Sequence, residues 1–111
     1  MIGSQTSAKK FRGRLPQWIP SMDDIKSRTL TIVNDLGLHA RSAAKLAKLA
    51  EEASRGVWIQ KNGDTADATS MLDIMALACP KGTEITVRID DEADMETLER
   101  IVELVRSGFG E

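Results

Sequence analysis

A chain of 111 residues that is 41% hydrophobic and 29% charged has the composition of a single small globular domain. A net charge of −2, with two Trp, two Phe and no Tyr, argues against the basic footprint of a nucleic-acid binder. The lone Cys79 excludes an intrachain disulfide and fits a reducing, cytoplasmic setting, and the sequence has no apolar run of about 18 residues that would insert into a membrane.

Residues 1–27 show neither helical nor strand periodicity. They hold two of the three prolines and a basic cluster, Lys9, Lys10, Arg12 and Arg14, with no apolar segment after it of the kind a secretory signal needs. They read as a mobile N-terminal extension, with a docking segment as the lesser option. Met22 offers an alternative start that would leave residues 22–111.

Residues 28–34 alternate and are rich in β-branched side chains, which predicts a strand with Leu30 and Ile32 on one face. Asp35-Leu36-Gly37 makes a turn. From Ala40 to Glu52 strong helix formers dominate, and Ala43, Leu46, Ala47 and Ala50 form a buried stripe, leaving Lys45 and Lys48 in water. Val57 to Lys61 alternates again, and Asn62-Gly63 signals a hairpin into a return strand over 64–68. Val57 and Ile59 face the helices, and Trp58 lies on the other face, partly shielded by its neighbours.

Ser70 and Asp73 resemble a capping box at the start of a short helix that fades before Pro80. Thr83 to Ile89 reads as the last strand. Glu92 to Arg106 is amphipathic, with Met95, Leu98, Ile101, Val102 and Val105 as its apolar stripe and Gly108 just past its end. The order β-α-β-β-α-β-α implies an α+β, open-faced β-sandwich: a four-stranded antiparallel sheet with three helices on one face, occupying residues 28–111.

His39 is the only histidine in the chain. An imidazole nitrogen is a nucleophile near neutral pH, and a helix N-terminus favours an anion bound there by roughly 0.3–1 kcal/mol. Arg41 adds a guanidinium whose donors match phosphate oxygens. Spacing alone leaves His39 as a cap, a surface residue or a phosphoryl acceptor. A metal site has no second histidine to support it. No carboxylate pair, nucleophile triad or glycine-rich phosphate loop suggests an independent enzyme, and no cofactor is implied.

The segment Gly37-Leu38-His39-Ala40-Arg41 resembles the active-site signature of HPr, the histidine-containing phosphocarrier of the phosphoenolpyruvate-dependent sugar phosphotransferase system. Ser70-Met71-Leu72-Asp73-Ile74-Met75 resembles the family's regulatory serine and hydrophobic helix. Lys81-Gly82-Thr83-Glu84-Ile85 resembles the lead into its last strand. The resemblance covers about residues 28–111.

It implies that His39 takes a phosphoryl group on Nδ1 from enzyme I and passes it to an EIIA-type acceptor, with Arg41 steadying the group. It implies that Ser70 is phosphorylated by HPr kinase/phosphorylase, beside its plain reading as a helix cap. It also implies a docking patch of Ala44, Met71, Leu72 and Met75, with Lys48 supplying charge. Packing of so short a helix argues that at least one of Met71, Leu72 and Met75, with Met75 the first choice, belongs to the core instead. A monomer is the expected unit. The same signature fits a regulatory relay, such as the nitrogen-related branch, or a non-transferring interaction module.

Two positions depart from the family pattern. Ser42 stands where proline is usual, which predicts a less rigid loop around His39. Asp73 stands where glycine is frequent, one turn from Ser70, which predicts repulsion of a phosphate there.

Overall fold

The computed structural model describes residues 25–111. Most of the expected extension, including the basic cluster and Met22, lies outside the described residues. The elements are β1 (Ser27–Thr31), α1 (Ala40–Ala50), β2 (Val57–Lys61), β3 (Asp64–Asp67), α2 (Met71–Ala76), β4 (Glu84–Ile89) and α3 (Met95–Arg106). Single 3-10 turns cover Glu92–Asp94 and Gly108–Gly110.

The four strands form one antiparallel sheet in the order β1-β4-β2-β3. Period-two alternation decides which face each side chain takes. Leu30, Val57, Ile59, Ala66, Ile85, Val87 and Ile89 point to one face and are buried. α1 packs against α2 and α3, and α3 packs on β1 and β4. The helices therefore cover that face and leave the other open, as the strand and helix patterns predict. All four residues of the expected α1 stripe are buried, and so are Leu98, Ile101, Val102 and Val105 of α3.

On the open face polar pairs replace apolar packing. The hydroxyls of Thr29 and Thr86 lie 3.0 Å apart across β1 and β4. Trp58 is half-buried, and its Nε1–H donates to Asp90 Oδ2 at 3.0 Å. That bond lies over Gly56, where a Cβ would come within 2.4 Å of Asp90 Oδ2. A larger residue there would have to displace the Asp90 and Trp58 side chains, and the glycine also marks the end of the α1 unit.

Two boundaries differ from expectation by three residues. β1 ends at Thr31 rather than Asn34. Ile32 still exchanges backbone hydrogen bonds with Thr83 and Gly82, at 2.8 and 2.7 Å, but Val33 turns outward and Asn34 opens a turn closed by the Gly37 N–H. α3 begins at Met95 rather than Glu92, because Asp94 turns inward. Its carboxylate accepts from the Ser54 and Arg55 amides, at 2.8 and 2.9 Å, and from the Ser54 hydroxyl at 2.9 Å. One buried side chain thereby ties the α1–β2 loop to the start of α3.

Burial pushes the Asp94 carboxyl upward, but the hydrogen bonds from Ser54 and Arg55, with the Arg55 charge, outweigh it and hold the group below its ordinary value. A depressed folded-state value means that its stabilisation is complete above the unfolded carboxylate value, about 3.9, and is lost as pH falls through the lower folded one. Asp94→Ala should lower unfolding free energy by about 2–3 kcal/mol at neutral pH. Urea melts of parent and variant should draw together as pH falls through the lowered folded-state value, where the parent carboxyl becomes protonated too.

Candidate functional site

His39 is the N-cap of α1, with extended backbone (φ −113°, ψ −173°), and its carbonyl accepts the first helical bond, from Ala43 N–H at 2.7 Å. The turn that delivers it is tightly determined. Gly37 has φ +67°, and a Cβ there would lie 2.4 Å from the Cys79 carbonyl oxygen, so no larger residue fits. The next amide, Leu38 N–H, donates to that same oxygen at 2.9 Å. The loop is thus seated on the segment that follows α2. Lys81, in the same segment, reaches Asp35 at 2.7 Å, and that bond and charge hold the Asp35 carboxyl below its usual range.

Ser42 does not loosen this loop. It is fully buried. Its hydroxyl accepts the His39 N–H at 2.9 Å and donates to the Gly37 carbonyl at 2.8 Å. The expected hinge is replaced by a side-chain bridge across the turn, half of a capping box with serine as the third helical residue. The reason is position: Ser42 lies one turn before Leu46 on the buried side of α1, so its hydroxyl points at the loop rather than at water.

The imidazole is held by a residue far away in sequence. His39 Nε2 lies 2.7 Å from Glu111 Oε2, and the two side chains are only 30% and 17% exposed. After α3, Gly108 and Phe109 both take positive φ, which turns the chain back over α1. Phe109 is fully buried, and its carbonyl accepts from Lys45 Nζ. Lys45 is therefore anchored and half-buried, not free in water as its place off the stripe suggests. Asn34 Nδ2 donates to Glu111 Oε1 at 3.1 Å and to the Gly37 carbonyl at 2.8 Å.

The Asn34 hydrogen bond lowers the Glu111 carboxyl, burial opposes it, and the bond and charge of His39 with the Lys45 charge lower it further. An ionised Glu111 only accepts, so Nε2 of the ring carries the hydrogen, and in the neutral ring Nδ1 then keeps its lone pair. An open cleft of about 430 Å³ adjoins this corner, lined by Val33, Asn34, Leu36, Arg106, Gly108 and Glu111 among others.

Arg41 follows His39 on the first turn of α1; it is exposed and has no ion-pair partner among the described residues. Ala44 is half-buried and Lys48 exposed farther along α1. On α2, Met71, Leu72 and Met75 are 37%, 78% and 39% exposed. Met75 is therefore not the core residue it was expected to be; Ile74 is, at 0% exposure. At about 100° per residue, a helix that turns Ile74 inward puts Met71, Met75 and Leu72 progressively farther round the outer surface. A six-residue helix has room for one inward side chain.

Ser70 caps α2 as its spacing predicts, accepting the Asp73 N–H at 3.2 Å. It stands at the opposite end of α2 from the Leu38–Cys79 contact, about 9 Å of helix away. His39 and Arg41 thus share the α1 terminus, whereas Ser70 belongs to a separate helix end. Sequence reasoning missed Asn34 and Glu111. Glu111 is 72 positions from His39, and nothing in local spacing could connect them.

A family model described as the PTS HPr component phosphorylation site matches residues 26–107. The phosphocarrier protein HPr of Cupriavidus necator is 38% identical over 84 residues, covering 76% of this chain and 94% of the relative. HPr-C-His from Thermoanaerobacter tengcongensis superposes with a TM-score of 0.74 at 32% identity, over 78% of this chain and 97% of that one. The histidine-containing phosphocarrier protein of a mycoplasma gives 0.69 at 30% identity, over 74% and 94%. The open four-stranded sheet with three helices is the fold shared with those structures, and the match runs from before β1 to the end of α3: the chain belongs to the HPr family of phosphocarrier proteins.

Proposed function

We propose that His39 accepts a phosphoryl group from enzyme I, charged in turn by phosphoenolpyruvate, and passes it to an EIIA-type acceptor. The observation that carries this reading is the Glu111–His39 contact at the N-terminus of α1. It leaves Nδ1 as the nucleophilic atom while Nε2 stays protonated.

In the transfer, the Nδ1 lone pair attacks phosphorus, and the bond from phosphorus to the donor's leaving atom breaks with its electrons going to that atom. No proton has to leave the ring. The imidazolium that forms keeps its Nε2 hydrogen, and the charge that develops faces the Glu111 carboxylate. Onward transfer reverses these events, with the acceptor as nucleophile. The exposed Arg41 guanidinium, one residue beyond Ala40, supplies donors for the phosphoryl oxygens. The protein is a substrate and donor within a relay rather than an enzyme with turnover of its own.

The exposed side chains of Met71, Leu72 and Met75, with Ala44 and Lys48, form the docking surface in this reading. Methionine suits a surface that fits more than one partner. A monomer is the working unit in this reading. A phosphate on Ser70 would add a charge of about −1.5 to −2 beside Met71 and hinder acidic partners without refolding. A purely regulatory relay uses the same His39 chemistry with different acceptors.

Incubation with enzyme I and phosphoenolpyruvate should yield one acid-labile phosphoryl group per chain, absent from His39→Ala; no uptake with a cognate enzyme I would overturn the proposal. Ser42→Ala removes the bridge between the His39 amide and Gly37 and should cost about 1–2 kcal/mol of stability, with faster amide exchange at His39. Ser42→Pro removes the same bridge and should be no more stable than the parent by thermal melting. Asp73→Gly should be modified faster at Ser70 by HPr kinase/phosphorylase; an unchanged rate would show that the Asp73 carboxylate does not impede that reaction.

A further inference from the structure

His39 is held by two separate arms, and one side chain touches both. The backbone arm runs from the His39 amide through the Ser42 hydroxyl to the Gly37 carbonyl. The ring arm runs from Nε2 to Glu111. Asn34 joins them: one hydrogen of its amide goes to the Gly37 carbonyl and the other to Glu111 Oε1. Asn34 is 6% exposed, so this amide is fixed inside the protein rather than sampling solvent.

The orientation of the amide follows from its neighbours. A flipped Asn34 would set Oδ1 against a carbonyl oxygen and a carboxylate, three acceptors together. In the orientation present, Oδ1 is buried with no hydrogen-bond partner among the described residues. An unpaired buried acceptor is destabilising. The position thus carries a stability cost in the service of the two bonds made by Nδ2.

We propose that Asn34 is a positioning residue that aims the Glu111 carboxylate at His39 Nε2 and so sets which tautomer the ring adopts. A glutamate side chain has three rotatable bonds, and a single contact with a partly exposed imidazole holds it weakly. The Asn34 amide takes Oε1, which leaves Oε2 facing the ring. Through Gly37, the same amide registers the carboxylate against the turn that carries His39. The consequence for transfer is a larger fraction of rings with Nδ1 free. That consequence rests on His39 being the phosphoryl acceptor, whereas the tautomer itself is a property of the ring without any donor present.

The test uses the full chain with 15N-labelled histidine, its ring nitrogens observed by NMR at about pH 8, where an ordinary imidazole is neutral. The parent should show the Nε2–H form, with Nδ1 unprotonated. Asn34→Ala should raise the Nδ1–H fraction about fivefold, the equivalent of one ordinary hydrogen bond. Asn34→Asp, close in shape, loses both donors and sets a carboxylate against Glu111, so it should do the same; it serves if the alanine variant does not fold. Glu111→Gln should match them, and the double variant Asn34→Ala/Glu111→Gln should add nothing, because the two residues act through one contact.

With enzyme I as donor, Asn34→Ala should slow phosphoryl uptake at saturating donor and leave the KM for the donor unchanged, which a general loosening of the docking surface would not do. An unchanged tautomer ratio in a folded Asn34 variant overturns the proposal, and so do additive effects in the double variant. Failure of the parent chain to take up a phosphoryl group would overturn the phosphocarrier reading instead, and the tautomer measurement would remain decisive for Asn34.

Discussion

The carbonyl oxygen of Gly37 is the point on which the His39 site is assembled. It accepts from Asn34 Nδ2 and Ser42 Oγ, both at 2.8 Å, and from the His39 amide at 3.1 Å. Those donors come from the turn after β1, from the buried side of α1 and from the candidate phosphoryl acceptor itself. The carbonyl can take this position because Gly37 adopts positive φ and lies against the Cys79 and Pro80 backbone without a side chain. The site is therefore placed by the contact between two loops, with the sheet beneath them acting as a fixed base.

That base has a simple division of labour. One face of the sheet is apolar and covered by α1, α2 and α3, and the other carries the Thr29–Thr86 pair, Arg88 and the half-buried Trp58. α1 gives its apolar stripe to the core and its N-terminus to His39. α2 is too short to bury more than Ile74, which leaves two methionines and a leucine facing outward. The same shortness that weakens α2 as a packing element supplies the exposed apolar surface that the proposed docking reading uses.

Electrostatics at the α1 terminus are arranged from both signs. The Glu111 carboxylate lies on one side of the imidazole and keeps its charge because Asn34, His39 and Lys45 all favour the ionised form. In the proposed transfer the exposed guanidinium of Arg41 and the positive end of the α1 dipole would favour an anion on the other nitrogen. A phosphoryl group on Nδ1 and the Glu111 carboxylate at Nε2 would then occupy different nitrogens of one ring. Lys45 holds the Phe109 carbonyl, so the segment carrying Glu111 is fastened to the helix that carries His39.

The sequence by itself determined the architecture and singled out the candidate histidine. Alternation in 57–61 and 83–89, the stripes of α1 and α3, the Asn62-Gly63 turn and the Ser70 cap are all local patterns, and local patterns are readable without knowing what lies across the core. His39 with Arg41, together with the segments at Ser70 and Lys81, pointed to the family. Tertiary structure alone decided what holds His39. Asn34 looked like the end of a strand and Ser42 like a loosening substitution, and nothing along the chain singled out Glu111. Each acquires its role from a neighbour that is distant in sequence or across a tight turn. The inward register of a six-residue helix likewise chose Ile74 over Met75. Hydrogen bonds and burial between separated segments depend on how the chain closes on itself, and no spacing rule along the chain carries that information.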